Sequence, residues 1–250
     1  DLSGAGVAFK LAHALLGEFP EEMIELAAIG TIADLVSLTD ENRTIAKLGI
    51  SQMKQTQRIG LVTLIEKLSV KVDKLDEKTI GFQIGPRLNA LGRLGDATPG
   101  VQLMTTFDDE EAASIVDFMQ SENERRQAIV NQIVEEATPL IHEQMNQPIL
   151  VLAQPGWHEG VLGIVAGRLL EELGQTVIVL NIEDGRAKGS ARSIEAVDIF
   201  EALDPHRALF IAFGGHAGAA GMTLEAEQLD ALSEILETYV KDKGIDAKGK

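Results

Sequence analysis

The sequence predicts an α/β protein of two lobes bridged by a long helix, and three observations carry that prediction. The C-terminal part alternates short β-branched apolar runs with helical spacing, the N-terminal part shows apolar residues at helical spacing, and between them a helical period begins at Asp108. With 250 residues, 45% of them apolar, the chain is long enough to build two domain cores.

The elements follow in order. "LSGAGVAFKLAHALL" opens as a glycine turn feeding a helix. In "PEEMIELAAIGTIADLV", Pro20 stands at a helix start, acids fill the first turn, and Asp34 falls near the end. "TDENRTIAKLGISQM" predicts another helix, with Thr39 or Asp40 as its cap. "GPRLNALGRLGDATPG" reads as a glycine-rich functional loop carrying Arg87, Asn89, Arg93 and Asp96, followed by a short helix capped by Thr98 with Pro99 at its first position. From Asp108 the apolar residues recur at three- and four-residue steps, Asp108 and Glu111 fit a capping box, and a helix running to Pro139 would span roughly 45 Å. "PILVLA" and "TVIVLNI" are buried strands of a parallel or mixed sheet, and the helical run from Gly160 to Leu173 between them makes a βαβ unit. "GRAKGSARS" and "ALFIAFGG" predict further strands, and an amphipathic helix closes the chain before a frayed "GIDAKGK".

Composition narrows the function classes. A net charge of −17 excludes a broadly basic surface that coats nucleic acid, and 4% aromatic residues speak against a long base-stacking groove. A phosphate site must therefore be local, built from glycine amides, a few arginines or metal ions. With no cysteine there are no disulfides and no thiolate metal sites, which fits a reducing compartment and a cytoplasmic location. No run of about eighteen apolar residues predicts a membrane span. The abrupt start on "DLSGAG", without methionine, reads as a piece of a longer chain.

The candidate site residues fall in five stretches. In "FGGHAGAAG" a strand ending in Gly214 and Gly215 lets the chain turn sharply and lets backbone N–H groups approach a phosphate, with His216 as the one side chain aimed at it, a donor or proton-transfer group. The same residues also describe a glycine turn whose histidine satisfies local carbonyls. "KGSARS" places Lys188, Ser190, Arg192 and Ser193 as cationic and hydroxyl donors along a strand, suited to a phosphodiester or equally to an exposed edge. Trp157, before a helix N-terminus, either stacks a base or covers the core. Asp34 is either a helix-end hydrogen-bonding residue or a metal ligand. Arg93 and Asn89 fit an oxygen-rich ligand, with a surface ion pair as the alternative for the arginine.

Together "IGTIADLVSLTDENR", "GPRLNALGRLGDA", "GWHEGVLGIVAGRL", "KGSARS" and "GGHAGAAG", in this order and spacing, resemble the C-terminal part of the RecJ family of single-strand-specific exonucleases, within the DHH phosphoesterase superfamily. The resemblance covers nearly the whole chain. It implies the remainder of a DHH domain over residues 1–107, with a parallel sheet and helices on both faces, a connecting helix over 108–146, and a smaller α/β DHHA1 domain over 147–250. It implies 5′ to 3′ hydrolysis of single-stranded DNA in repair and recombination, with Mn²⁺ or Mg²⁺ in a two-metal site. Single-strand-binding protein and helicase are implied as partners. Asp34 matches a metal-binding aspartate. Ser190, Arg192 and His216 match phosphate contacts of the second lobe, and Asn89 and Arg93 those of the first. The family's Asp-His-His triplet is absent from these residues, so the expectation is a piece that is inactive alone. The rival readings are a related phosphoesterase acting on oligonucleotides or small phosphorylated nucleotides, and a non-catalytic binding or scaffold module.

Overall fold

Ser3 starts the first helix by accepting the Gly6 N–H at 3.0 Å, and Gly17, at φ 72°, ends it in the left-handed conformation that glycine adopts without steric cost. In the computed structural model, which describes residues 2–246, this helix is α1 (Gly4–Leu16). The structure divides into two units, Asp1–Arg126 and Gln127–Lys250.

The first unit is helical throughout its described residues: α2 (Ile24–Ala33), α3 (Asp40–Met53), α4 (Ile59–Lys67), a single turn α5 (Glu77–Thr79), a π-helical turn over Ile80–Ile84, α6 (Gly85–Leu94) and α7 (Thr98–Thr105) follow α1. The sheet implied for this lobe is not found among them. All five strands of the described residues lie in the second unit. Residues 85–94 are also not a loop. Pro86 sits in the first turn, and Ala90 and Leu91 bury themselves at helical spacing with Leu88 half-buried beside them, which outweighs the two glycines. The cap of α7 lies earlier than the sequence suggests. Asp96, not Thr98, is the capping side chain, accepting the Thr98 N–H at 2.9 Å and the Thr98 hydroxyl at 2.8 Å.

One buried ion pair ties this unit together. Arg58 donates from Nε to Glu25 Oε1 at 2.9 Å and also reaches the carbonyls of Met104 and Glu22, while the Glu25 carboxylate is only 4% exposed. Removing one partner of such a pair strands the other charge. Glu25→Ala is therefore expected to lower stability by about 3 kcal/mol, read as a fall in the urea midpoint.

The helix α8 (Asp109–Glu143) begins where Asp108 Oδ1 accepts the N–H groups of Glu110 and Glu111. The box is completed differently from the expected reciprocal bond. Thr106 Oγ1 takes the Asp108 N–H at 3.1 Å, and the Glu111 carboxylate bonds that same hydroxyl. Pro139 does not end the helix, whose 35 residues span about 52 Å. The turn beyond it is anchored by the next residue, Gln144, whose amide pairs with both the N–H and the C=O of Val151 at 2.9 and 2.8 Å.

The second unit carries a sheet of order β1-β2-β3-β5-β4. Its strands are β1 (Leu150–Pro155), β2 (Val177–Glu183), β3 (Arg186–Arg192), β4 (Phe210–His216) and β5 (Ala219–Glu225). Only β1 and β2 are parallel, joined through α9 (Leu162–Leu173). One face of the sheet packs on α10 (Ile199–Leu203) and α11 (Leu229–Lys243) through Ile178, Leu180, Ala187, Ala191, Met222 and Leu224. The helix α9 packs on β2 and β3.

Candidate functional site

The two glycines before His216 do not make a turn. They continue β4, and the reversal comes at Ala217 and Gly218, after which the "AAGMTLE" stretch returns as β5 in a tight hairpin. Those small residues, which carry no strand signal of their own, form a strand. Gly215 is required because its backbone, at φ 159°, lies against β5, and a Cβ there would stand 2.3 Å from the Ala219 carbonyl oxygen.

The ladder register then fixes which side chains share a face, because residues directly opposite in antiparallel strands project the same way. Ser190 pairs with Gly221, and Gly221 with Gly214; Arg192 pairs with Ala219, and Ala219 with His216. Ser190, Arg192, Gly214 and His216 therefore lie on one face, with the floor between them made of Gly221 and Ala219. A Cβ on Gly214 or Gly221 would meet nothing within 4 Å, so this floor is open. At two strand spacings, Arg192 and His216 stand about 10 Å apart across it, a gap that one phosphate and a guanidinium can fill. Gly215, grouped with these residues on the sequence, projects to the opposite face.

Each wall is held in place. Arg192 donates from Nη1 to the Ala191 carbonyl at 2.8 Å, and its Nη2 lies beside Gly163 of α9, where a Cβ would come within 3.0 Å of it and within 3.4 Å of Ser190 Oγ. Gly163 thus lets the helix settle against the two donors, and the sequence reading passed over it. On the other wall, His216 Nδ1 accepts the Gly218 N–H at 3.2 Å. That bond assigns the neutral ring's proton to Nε2, leaving an exposed N–H donor beside the floor. The strand β3 is interior to the sheet, which removes the edge-strand reading of "KGSARS". Lys188 shares the face of Ser190 and pairs with Glu159 at 2.5 Å, and Ser193 turns inward to Thr176 and the carbonyls of Ile194 and Val197.

Trp157 is core cover. It is 2% exposed, its indole N–H is bonded to Glu136 at 2.8 Å, and its backbone N–H goes to Asn181, so no ring face is offered to a base. The Gln132 and Trp157 bonds hold the Glu136 carboxyl below the usual carboxylate range. In the first unit Asn89 and Arg93 lie four residues apart on α6, exposed on one helical face. Asp34 is the exposed C-cap residue of α2. No group of three or more His, Asp or Glu among the described residues could hold a metal ion, so Asp34 does not form a cation site with them.

The model of the DHHA1 domain matches residues 146–242, the span that carries this floor. This part of the chain thus matches the DHHA1 domain, and nearly the whole chain is similar to RecJ. It is 47% identical over 239 residues to the single-stranded-DNA-specific exonuclease RecJ of Bacillus subtilis, a match covering 94% of this chain and 30% of the relative. The RecJ of Haemophilus influenzae is 33% identical, with 96% of this chain and 46% of the relative covered. Among solved structures, RecJ from Thermus thermophilus in complex with Mn²⁺ superposes with a TM-score of 0.83 at 32% identity, covering 92% of this chain and 34% of that one. The same protein in complex with Mg²⁺ gives 0.81 at 31% identity, covering 92% and 36%. The chain thus spans less than half the length of these relatives. No helix among the described residues is long and apolar enough to cross a membrane.

Proposed function

We propose that this chain is the substrate-holding part of a 5′ to 3′ exonuclease that hydrolyses the phosphodiester bonds of single-stranded DNA. The observation that carries the reading is the open glycine and alanine floor bordered by Ser190, Arg192 and His216, a concentrated set of donors on a chain of net charge −17. In hydrolysis a water oxygen joins phosphorus, the bond to the leaving sugar oxygen breaks, and negative charge grows on the non-bridging oxygens. The Arg192 guanidinium and the His216 Nε2–H are placed to meet that charge, and Ser190 to orient the phosphate before it develops. Asn89 and Arg93 hold a further part of the strand on the first unit.

The relatives with known structures contain Mn²⁺ or Mg²⁺. The described residues of this chain do not by themselves fit such an ion, so no step through a metal is assigned to them. Asp34 contributes at most one carboxylate to a site completed by a longer protein, and the 250 residues alone are then inactive.

The test is release of nucleotides from 5′-phosphorylated single-stranded DNA in Mn²⁺, comparing these 250 residues with a protein extended to the length of the Bacillus subtilis relative. Activity confined to the extended protein, with long strands preferred over dinucleotides, is the expected result. Robust turnover by the shorter chain would overturn the division of labour, and a preference for dinucleotides would favour a phosphoesterase of small substrates.

A further inference from the structure

We propose that Arg126 joins Arg93 and Asn89 to form an oxyanion site on the first unit that takes a backbone phosphate of the nucleic-acid strand, a role that rests on the single-strand reading above. Two helices that touch each other supply these residues. Arg87 on α6 donates from Nε to Gln120 Oε1 on α8 at 2.7 Å, and six residues further along each helix come Arg93 and Arg126. Burial, and then the charge of Arg93 close by, make Arg126 less basic than an ordinary arginine.

The surroundings of Arg126 do not answer its charge. Its Nη2 donates to Asn123 Oδ1 at 3.0 Å, a neutral acceptor on a residue only 2% exposed, and its Nε is sealed from solvent with no partner. Among the described residues no carboxylate lies within 4 Å of it, whereas the adjacent Arg125 is paired with Glu122 at 3.4 Å. A fold that brings two guanidiniums together, desolvates one and supplies it with no counter-ion leaves a place for an anion. Phosphate suits it, because each planar fork can give two parallel N–H bonds to one tetrahedral group. Asn89, one turn before Arg93, adds a neutral donor.

The experiment follows the arginine Nε–Hε signals of the 250-residue chain by NMR, assigned with Arg126→Gln and Arg93→Gln. Inorganic phosphate is titrated first, with chloride at matched ionic strength as reference, and then a 5′-phosphorylated eight-nucleotide oligothymidylate. Saturable movement of the Arg126 and Arg93 signals with phosphate alone is expected. Arg126→Gln should weaken the oligonucleotide about tenfold, and reduce the slope of log affinity against log salt by about 0.7. Its melting temperature should stay level or rise, since a like-charge contact is relieved. Arg126→Lys should restore part of the slope without the fork. The proposal is overturned if phosphate moves Arg126 no more than chloride does, if Arg126→Gln keeps the wild-type slope, or if that variant melts lower, as a purely structural arginine would. A phosphate response without any oligonucleotide binding would support the anion site and overturn the single-strand reading.

Discussion

Replacing Gly189 by alanine is expected to disrupt the second unit. Gly189 is central in β3, paired with Leu180 on one side and Met222 on the other. A Cβ there would stand 1.9 Å from the Val179 carbonyl oxygen and 2.8 Å from Leu180 Cα, both backbone atoms of the neighbouring strand, so no side-chain rotation relieves the contact. The strands must separate, and with them the ladder that puts Ser190 and Arg192 on the floor's edge. The expected cost is about 3 kcal/mol, at the upper end for overpacking. Gly221→Ala is the control, because its Cβ enters open space. Urea unfolding of the two variants should place Gly189→Ala far below wild type and Gly221→Ala close to it. Equal midpoints would mean that the β2–β3 pairing is looser than described.

The second large effect is on catalysis by a longer protein that includes these residues. Arg192→Ala is expected to lower kcat/KM on single-stranded DNA by about 10²–10³, the range for losing one preorganised donor to a developing oxyanion. His216→Ala should fall in the same range, since its Nε2–H is held toward the floor by the Nδ1 bond to Gly218. Arg192→Lys should recover only part of the loss, because an ammonium cannot give the two parallel bonds of the guanidinium. Neither substitution touches the core face of the sheet, so melting temperatures should change little. A loss below about threefold in both alanine variants would remove these two side chains from the reacting phosphate.

How much of this was legible depended on the kind of signal. The strands β1 and β2 and the helix between them could be read directly, because fully buried parallel strands are continuous apolar runs. The residues of the floor could also be found, but not their arrangement. Gly214 and Gly215 look alike on paper, yet the pleat sends one to the open face and the other against β5, and only the register separates them. The strand β5 was missed because "AAG" lacks the β-branched residues that mark a strand; its pairing on both edges, not propensity, makes it one. Residues 85–94 misled in the opposite sense, since two glycines and a proline suggest a loop while tertiary burial of Ala90 and Leu91 imposes a helix. Arg126 carried no local signal at all. Within "NERRQ" it resembles its neighbour Arg125, and what distinguishes it is the packing of α6 on α8.

The most direct test of the open sheet face as the phosphate-bearing surface is equilibrium binding of 5′-phosphorylated single-stranded DNA to Gly221→Leu. The substitution enters empty space on the floor between Ser190 and Gly214, so the fold is expected to keep its stability while the leucine occupies the place of the phosphate. At least about a tenfold loss of affinity, with an unchanged melting temperature, is expected. Wild-type affinity in a folded Gly221→Leu protein would show that the strand is held elsewhere and would contradict it.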